Sequence, residues 1–198
     1  MSALSCIICT IVILIIMFAS IGIPIIVYYA QNPKDPTFTL EHASVHGFNL
    51  TSDGHFTSYF DIVIKANNPN HKMKLDYSGV RVSIYKDKQN LAEDALDDFA
   101  QRKRNVTVLR AEPIALSVSL EKGPLFNLGL ESGIGYIIFD VFMTSGLNGD
   151  NLEVNCDYVM VNVTNLVASS PSSSSVDNSK ENFSSINCGV YIYSDDDY

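Results

Sequence analysis

Residues that could bind a metal ion or act as acid–base catalysts are few and scattered. His42 and His46 are four residues apart, a spacing that would place two imidazoles on one face of a helix. We predict a strand at this point, where the same spacing is about 13 Å, too long for one ion. The acidic run at 93–98 lacks the ligand spacing and the glycine of a calcium loop. No phosphate loop or nucleophile motif occurs either. We therefore predict no metal, no cofactor and no catalytic residue, and the chain is not expected to be an enzyme.

The four cysteines fall into two pairs. Cys156 and Cys188 lie on apolar strand faces, and a disulfide between them would close a loop of about 30 residues. Two buried free thiols are the alternative. An oxidising compartment would favour the disulfide. Cys6 and Cys9 lie near the start of an apolar run and are palmitoylation candidates, although small membrane-facing residues need no function.

Four Asn-x-Ser/Thr triplets begin at Asn49, Asn105, Asn162 and Asn182. As N-glycosylation candidates they favour an extracytosolic location for the residues around them. With this content of Asn, Ser and Thr, about two such triplets would arise by chance.

Residues 6–29 form an uncharged apolar run, long enough to cross the ~30 Å hydrocarbon layer as a helix. We predict a single transmembrane helix there, after a short tail at 1–5 and before a linker at 30–36. A cleaved signal peptide is the alternative, with Ser20-Ile21-Gly22 as a passable cleavage site. The run lacks a basic n-region and is longer than a signal h-region, which favours the anchor.

Alternating apolar and polar residues predict that 37–194 is a single all-β domain. The expected fold is an immunoglobulin- or fibronectin III-like β-sandwich of about seven strands with one short helix. Pro124–Ser132 is the predicted helix, and Asn90–Arg104 is expected to be either helix or loop. A Ser-rich flexible loop is expected at 168–185, and an acidic tail at 195–198.

The predicted strand faces can be stated residue by residue. Tyr136–Met143 is apolar on both faces and is expected to be a central strand. Three other strands are expected to have one apolar face each. These faces consist of Ile114, Leu116, Val118 and Leu120; of Val154, Cys156, Tyr158 and Met160; and of Ile186, Cys188, Val190 and Ile192.

Asn68-Pro69-Asn70 has the chemistry of a chain reversal. Asn68 precedes a proline and is pushed out of the helical region, while Asn70 tolerates a left-handed conformation. We predict a structural turn rather than a binding site, because turn chemistry alone explains the motif.

A net charge of −9 argues against binding nucleic acid through bulk electrostatics. Arg102-Lys103-Arg104 is a basic cluster within this acidic chain. It could meet acidic wall polymers or a protein partner, or it could be a solvated loop.

Several short stretches follow one another over nearly the whole chain. They are Pro36-Thr37-Phe38, Val45–Asn49, Asn67–Lys72 followed by Asp76 and Tyr77, Val82–Tyr85, Phe99-Ala100-Gln101 with Asn105–Leu109, Val154–Cys156 and Cys188. In this order they resemble motifs of the plant late embryogenesis abundant proteins of subgroup two. The narrower resemblance is to the membrane-anchored, harpin-induced or non-race-specific disease resistance-like branch. The tail before the apolar run is shorter than is usual in that family.

The resemblance implies a non-catalytic interaction module in plant defence and stress responses. It would be a single-pass plasma membrane protein that faces the apoplast and binds a protein or a cell-wall component. A lipid-binding or lipid-transfer module is the alternative, and it would require an apolar cleft that side chains leave unfilled.

Overall fold

The computed structural model describes residues 11–18, 20–23, 33–163 and 183–194. The chain divides into two compact units, Met1–Lys34 and Asp35–Tyr198. In the first unit, residues 11–18 and 20–23 are helical, and we call them α1. Nearly all their apolar side chains are exposed.

The transmembrane helix predicted at 6–29 is contradicted by the structure. Within the part of the chain that the structure describes, no helix has the length and apolar character needed to cross a membrane. The tail at 1–5, Cys6, Cys9 and the first residues of the linker at 30–36 lie outside the described residues.

The second unit is mostly β structure, with one helix among its described residues. In chain order its elements are β1 (Thr37–Leu50), β2 (His55–Asn67), β3 (Leu75–Lys86), β4 (Gln89–Ala95), β5 (Phe99–Gln101), β6 (Val106–Ala111), β7 (Ile114–Ser119), α2 (Lys122–Gly133), β8 (Tyr136–Leu147), β9 (Asp150–Asn162), β10 (Ile186–Asn187) and β11 (Gly189–Tyr193).

These strands form two antiparallel sheets. Sheet A has the order β10-β1-β2-β6, and β7 also pairs with β2. Sheet B has the order β11-β9-β8-β3-β4, and β5 also pairs with β3. Thus β6 and β7 share one side of β2, and β4 and β5 share one side of β3. The expectation of about seven strands is too low, because short strands fill both of these edges.

The core lies between the two sheets and contains apolar side chains from both. Phe60 of β2 and Phe139 of β8 meet edge to face, with ring centroids 5.4 Å apart. Phe38 of β1 and Tyr77 of β3 meet in the same way at 6.3 Å. Such aromatic pairs add specific geometry to the hydrophobic burial that holds the sheets together. The central position predicted for the strand at 136–143 is confirmed, because β8 lies between β9 and β3.

Two β-bulges change part of the predicted faces of β7 and β9. In β7, Ala115 is buried while Ile114 and Leu116 are exposed, and Leu116 retains 65% of its accessible surface. The second half of the predicted face is confirmed, because Val118 and Leu120 pack against the core. This register follows from pairing with β2, where Ala115 lies opposite the fully buried Ser58. In β9, the pairing with β8 shifts between Val141↔Cys156 and Phe139↔Val159, so the bulge turns the following residues over.

The bulge in β9 is held by a side chain of the neighbouring strand. Tyr158 has a left-handed backbone, with φ 57°, and its N–H donates to Oδ1 of Asp140 at 2.9 Å. Its side chain is 81% exposed, whereas Val159 is buried. The face predicted from Val154, Cys156, Tyr158 and Met160 is therefore apolar and inward only as far as Cys156. In contrast, the last predicted face is confirmed, because Ile186, Cys188, Val190 and Ile192 all pack against the core.

The helix prediction at 124–132 is confirmed, since α2 covers Lys122–Gly133. Pro124 is the third helical residue rather than the first, and Glu121 precedes the helix without a side-chain cap. The segment at 90–104, for which helix and loop were the two expectations, instead contains strand residues of β4 and β5, both paired with β3.

A nearly buried ion pair fastens α2 to sheet B. Lys86, at the end of β3, is only 5% exposed, and its Nζ donates to Oε1 of Glu131 at 2.5 Å and to the carbonyl of Ile138 at 2.7 Å. The other carboxylate oxygen of Glu131 accepts the N–H of Ile138 at 2.9 Å. Each charged group therefore has a hydrogen-bonded partner, which offsets the cost of removing it from water.

The last two strands close the seam between the sheets. Strand β10 pairs with β1 in sheet A, and β11 pairs with β9 in sheet B. Between them lies Cys188, whose N–H donates to the carbonyl of Phe38 at 3.1 Å. Its sulfur is bonded to Cys156 of β9. One residue thus links the edges of both sheets. Of the Ser-rich loop expected at 168–185, only 183–185 belongs to the described residues, and the tail at 195–198 does not.

Replacing both cysteines, Cys156→Ser with Cys188→Ser, is expected to lower the free energy of unfolding by about 3–4 kcal/mol. The disulfide spans 32 residues of sequence and restricts the unfolded chain accordingly. Urea denaturation of the wild type with and without a reductant measures the cross-link separately from the serine substitutions. Equal midpoints for the oxidised and reduced wild type would contradict a structural role for the bond.

Glu131→Gln is expected to destabilise the protein by about 3 kcal/mol, because it leaves the buried ammonium of Lys86 without a countercharge. Asp76→Asn provides a matched control. Asp76 pairs with Lys74 on the surface, and both side chains are more than half exposed. The control should cost less than about 1 kcal/mol. Thermal denaturation of both variants makes the comparison, and adding Lys86→Met to Glu131→Gln should recover part of the loss.

Candidate functional site

The histidines and acidic residues that the structure describes do not form a metal site. Among residues 11–18, 20–23, 33–163 and 183–194, no three His, Cys, Asp or Glu side chains are placed to hold a metal ion. Asp94 accepts the N–H of Glu112 at 2.8 Å, and Asp98 accepts the N–H of Gly79 at 2.7 Å. The acidic run thus supplies acceptors for neighbouring backbone groups.

The two histidines of β1 have separate surroundings. The ring of His42 lies edge to face with Phe183, at a centroid distance of 6.2 Å. The Nε2 atom of His46 is 3.1 Å from Oγ of Ser44.

The glycosylation candidates occupy different positions in the second unit. Asn49, near the end of β1, and Asn105, in the turn before β6, are exposed. Asn162, at the end of β9, is half-buried, and Asn182 lies outside the described residues. Exposed asparagines at Asn49 and Asn105 are accessible to a glycosylating enzyme, and whether either carries a glycan stays a prediction.

The side chain of Asn68 organises the turn after β2. It is fully buried, and its amide donates to the carbonyls of Met73 at 3.0 Å and Arg102 at 3.1 Å. Its Oδ1 accepts the N–H of Asn70 at 2.9 Å. This last bond is an Asx turn, in which the side chain replaces a backbone partner. The Asn-Pro-Asn motif therefore both reverses the chain and joins it to the turn at 102–105.

Gln101 has an equivalent role at the end of β5. This side chain is also fully buried, and its amide donates to the carbonyls of Ala66 at 2.9 Å and Asn105 at 3.0 Å. Its Oε1 accepts the hydroxyl of Tyr77 at 3.2 Å. Sequence reasoning did not single out Gln101 as a site residue. The available signal was a polar side chain that follows the apolar Phe99 and Ala100 and precedes the basic cluster at 102–104.

Tyr77 is the sheet B partner in this network. Its ring stacks on Phe99 with a centroid distance of 4.4 Å, and burial raises the pKa of its phenol well above the usual value. The hydroxyl is therefore protonated at neutral pH and can donate to Gln101.

The buried amides bring two basic loops together. The loop after β2 contains His71, Lys72 and Lys74, and the loop after β5 contains Arg102, Lys103 and Arg104; we call residues 71–74 and 102–104 the cationic loops. The N–H of Arg104 donates to the carbonyl of Asn70 at 3.0 Å. Its guanidinium is 3.1 Å from Nε2 of His71. A guanidinium can only donate, so Nε2 of the imidazole is the acceptor in this contact.

Charge is strongly segregated around the cationic loops. Two segments, 62–75 and 99–111, contain seven of the 13 Lys and Arg residues and none of the 22 Asp and Glu residues. Strands β2 and β6 pair antiparallel, and the last residue of β2, Asn67, lies opposite the first residue of β6, Val106. The loop after β2 and the loop before β6 therefore start side by side. Lys65 and Lys74 are paired with Glu41 and Asp76. Lys72, Arg102, Lys103 and Arg104 have no carboxylate partner among the described residues.

A shallow hollow of about 540 Å³ lies nearby, next to β5. It is bordered by Asp76, Phe99 and the Asn148-Gly149 turn between β8 and β9. Both turn residues have a left-handed backbone, with φ 53° and 105°, as a two-residue hairpin requires. Oδ1 of Asn148 accepts the N–H of Asp76 at 2.9 Å. The pairing of Leu147 with Asp150 closes this two-residue hairpin.

Asn68→Ala is expected to lower the free energy of unfolding by about 2–4 kcal/mol, because it removes a fully buried amide that bonds to the carbonyls of Met73 and Arg102 and to the N–H of Asn70. Asn67→Ala is the matched control. Its amide donates only to the hydroxyl of Thr37, in an exposed position, so the cost should stay below about 1 kcal/mol. Chemical denaturation of the two variants measures the difference. Similar losses at both positions would contradict the role assigned to Asn68.

Comparison with known proteins adds two relatives from Arabidopsis thaliana. No family model matches the chain. Uncharacterized protein At1g08160 is 29% identical over 169 residues, which cover 80% of this chain and 76% of the relative. NDR1/HIN1-like protein 6 is 32% identical over 95 residues, covering 48% of this chain and only 36% of the relative.

Neither relative is named as an enzyme, and neither name refers to late embryogenesis abundant proteins. The subgroup-two placement therefore stays a prediction. The partial match to NDR1/HIN1-like protein 6 suggests the NDR1/HIN1-like family.

Proposed function

We propose that this chain is a non-catalytic interaction module of the plant cell surface, with its β-sandwich facing the apoplast, and that it takes part in defence and stress responses. The partner is a protein or a cell-wall component. The similarity to NDR1/HIN1-like protein 6 supports the defence role.

The observation that carries the extracytosolic location is the disulfide between Cys156 and Cys188. Disulfides of this kind persist in oxidising compartments and are rare in the cytosol. This bond joins the strands that close the seam between the two sheets, so it belongs to the fold rather than to a reactive surface site. The exposed sequons at Asn49 and Asn105 support the same location, because N-glycans are added in the secretory pathway.

A binding role fits the described residues better than catalysis does. The carboxylates near the cationic loops accept backbone N–H groups or pair with lysines, and the buried amides of Asn68 and Gln101 are saturated with hydrogen bonds. A catalytic site needs titratable groups that converge on a space for substrate. The exposed basic residues instead offer charge to a partner.

The lipid-binding alternative receives less support. It requires an apolar cleft between the sheets, whereas the inward side chains of β2 and β8 are in direct contact through Phe60 and Phe139. Phe38 and Tyr77 make a second contact of the same type near the start of β1. We therefore place the interaction on the outer surface.

The location is tested on the full chain expressed in plant cells. Endoglycosidase treatment should increase the gel mobility of the wild type, and Asn49→Gln with Asn105→Gln should reduce that shift. Protease added to sealed membrane vesicles should leave the β-sandwich intact. A non-reducing gel should separate the wild type from Cys188→Ser. An unglycosylated, protease-sensitive domain would overturn the proposal.

The defence role needs a separate measurement in the plant. Lines lacking the protein should support more growth of a bacterial pathogen than the parent line, and the wild-type chain should restore resistance. Unchanged pathogen growth in the lines lacking it would remove defence from the proposal while leaving the extracytosolic location intact.

A further inference from the structure

The cationic loops are the most strongly charged surface among the described residues that the fold itself does not use. We propose that they bind the carboxylate groups of an acidic polysaccharide. This inference rests on the proposed function for the location of the domain, and it identifies one chemical class of partner.

Charge complementarity is the first argument. The chain has a net charge of −9, yet the two segments that contain the cationic loops have no acidic residue. Four cations, Lys72, Arg102, Lys103 and Arg104, have no carboxylate partner in the described parts of the chain. A local positive surface on an acidic protein attracts polyanions to that surface and repels them elsewhere. Binding would therefore occur in one orientation.

The geometry of the loops is the second argument. Their backbones are fixed by the buried amide of Asn68, which bonds to Met73 in one loop and to Arg102 in the other. Arg104 is held in a left-handed conformation, with φ 51°, by its bond to Asn70. A polyanion would meet a preorganised backbone, so only the side chains lose freedom on binding. Because these cations have no carboxylate partner among the described residues, binding a polyanion breaks no existing ion pair.

A polysaccharide fits this surface better than a folded protein does. Protein interfaces have a core of aromatic and apolar anchors surrounded by a polar rim. The exposed residues of the cationic loops are instead His71, Lys72, Lys74 and residues 102–104, all of them basic types. A flexible chain of regularly repeated carboxylates needs charge and hydrogen-bond donors rather than an apolar anchor, and arginine offers both.

The proposed location favours a polysaccharide over lipid as the source of negative charge. Anionic lipids are concentrated in the cytoplasmic leaflet of membranes. A domain that faces the apoplast would have little access to that leaflet. Nucleic acid is disfavoured by the same location and by the overall negative charge.

The test uses the full chain purified from plant cells and polygalacturonate as the probe, immobilised on a biosensor surface. A chelator removes divalent cations, which would otherwise bridge the polymer to the acidic protein. Fully methyl-esterified polygalacturonate is the control surface, because it has the same sugar backbone without charge. The preparation is repeated with Asn105→Gln, since a glycan at that exposed position would lie next to Arg104.

The variant that tests the loops is Lys72→Gln with Arg102→Gln and Lys103→Gln. These side chains are exposed, and the bond from Asn68 uses only the backbone of Arg102, so the fold should be kept. The matched control is Lys88→Gln with Arg110→Gln and Lys122→Gln, which changes the net charge equally at other exposed positions. A non-reducing gel and circular dichroism check that both triple variants fold.

The wild type should bind polygalacturonate, and the loop variant should bind it about tenfold or more weakly. The control variant should stay within about threefold of the wild type, and added salt should weaken binding because ions screen exposed charges. Equal binding by the loop variant, or equal binding to the esterified polymer, would overturn the inference. Retention on phosphatidylserine vesicles without binding to polygalacturonate would reassign the loops to lipid. If the protein does not bind polygalacturonate but its domain is glycosylated and protected from protease, the inference about the loops fails and the proposed function still stands.

Discussion

The buried side-chain amides of Asn68 and Gln101 hold together the end of the sandwich where the chain crosses between its sheets. After β2 the chain leaves sheet A and enters sheet B at Leu75. After β5 it returns to sheet A at Val106. Backbone groups in these crossover loops lie outside the strand ladders, and a buried backbone group without a hydrogen-bond partner costs about 1–3 kcal/mol. The two amides supply these partners, and both sheets depend on the result.

The network also explains why a basic surface can exist at this end. Gln101 links the carbonyl of Ala66 in sheet A to the hydroxyl of Tyr77 in sheet B. Asn68 fixes the loops on either side of this link. Since backbone and amide groups carry the structural bonds, the charged side chains of 102–104 are not needed for folding. They remain exposed on a rigid support, an arrangement that suits recognition of a ligand.

Two further devices fasten the sandwich by different chemistry. At the β1–β9 seam, two short C-terminal strands and a disulfide join sheet A to sheet B. Helix α2 is fastened to β3 and β8 of sheet B by the ion pair between Lys86 and Glu131 and by the bonds of both residues to Ile138. Both devices link elements that are distant in sequence, so they restrict the relative movement of parts that hydrophobic burial alone would leave free to slide.

The sequence by itself determined the β character of the domain, the helix predicted at 124–132 and the reversal at Asn68-Pro69-Asn70. Each depends on local chemistry: side-chain alternation, proline geometry, or residues that tolerate a positive φ. The tertiary structure decided which face of a strand is buried. Ala115 replaces its apolar neighbours in the core because pairing with β2 sets the register.

Long-range pairing also decided the outcomes that local patterns missed. The segment at 90–104 became two strands because β3 offers an unpaired edge, although its own periodicity is poor. The bulge at Tyr158 depends on Asp140 in another strand, and the role of Gln101 depends on partners up to 35 residues away. Local sequence carries no record of such partners, because register and hydrogen bonding between strands are set only when the sheets assemble.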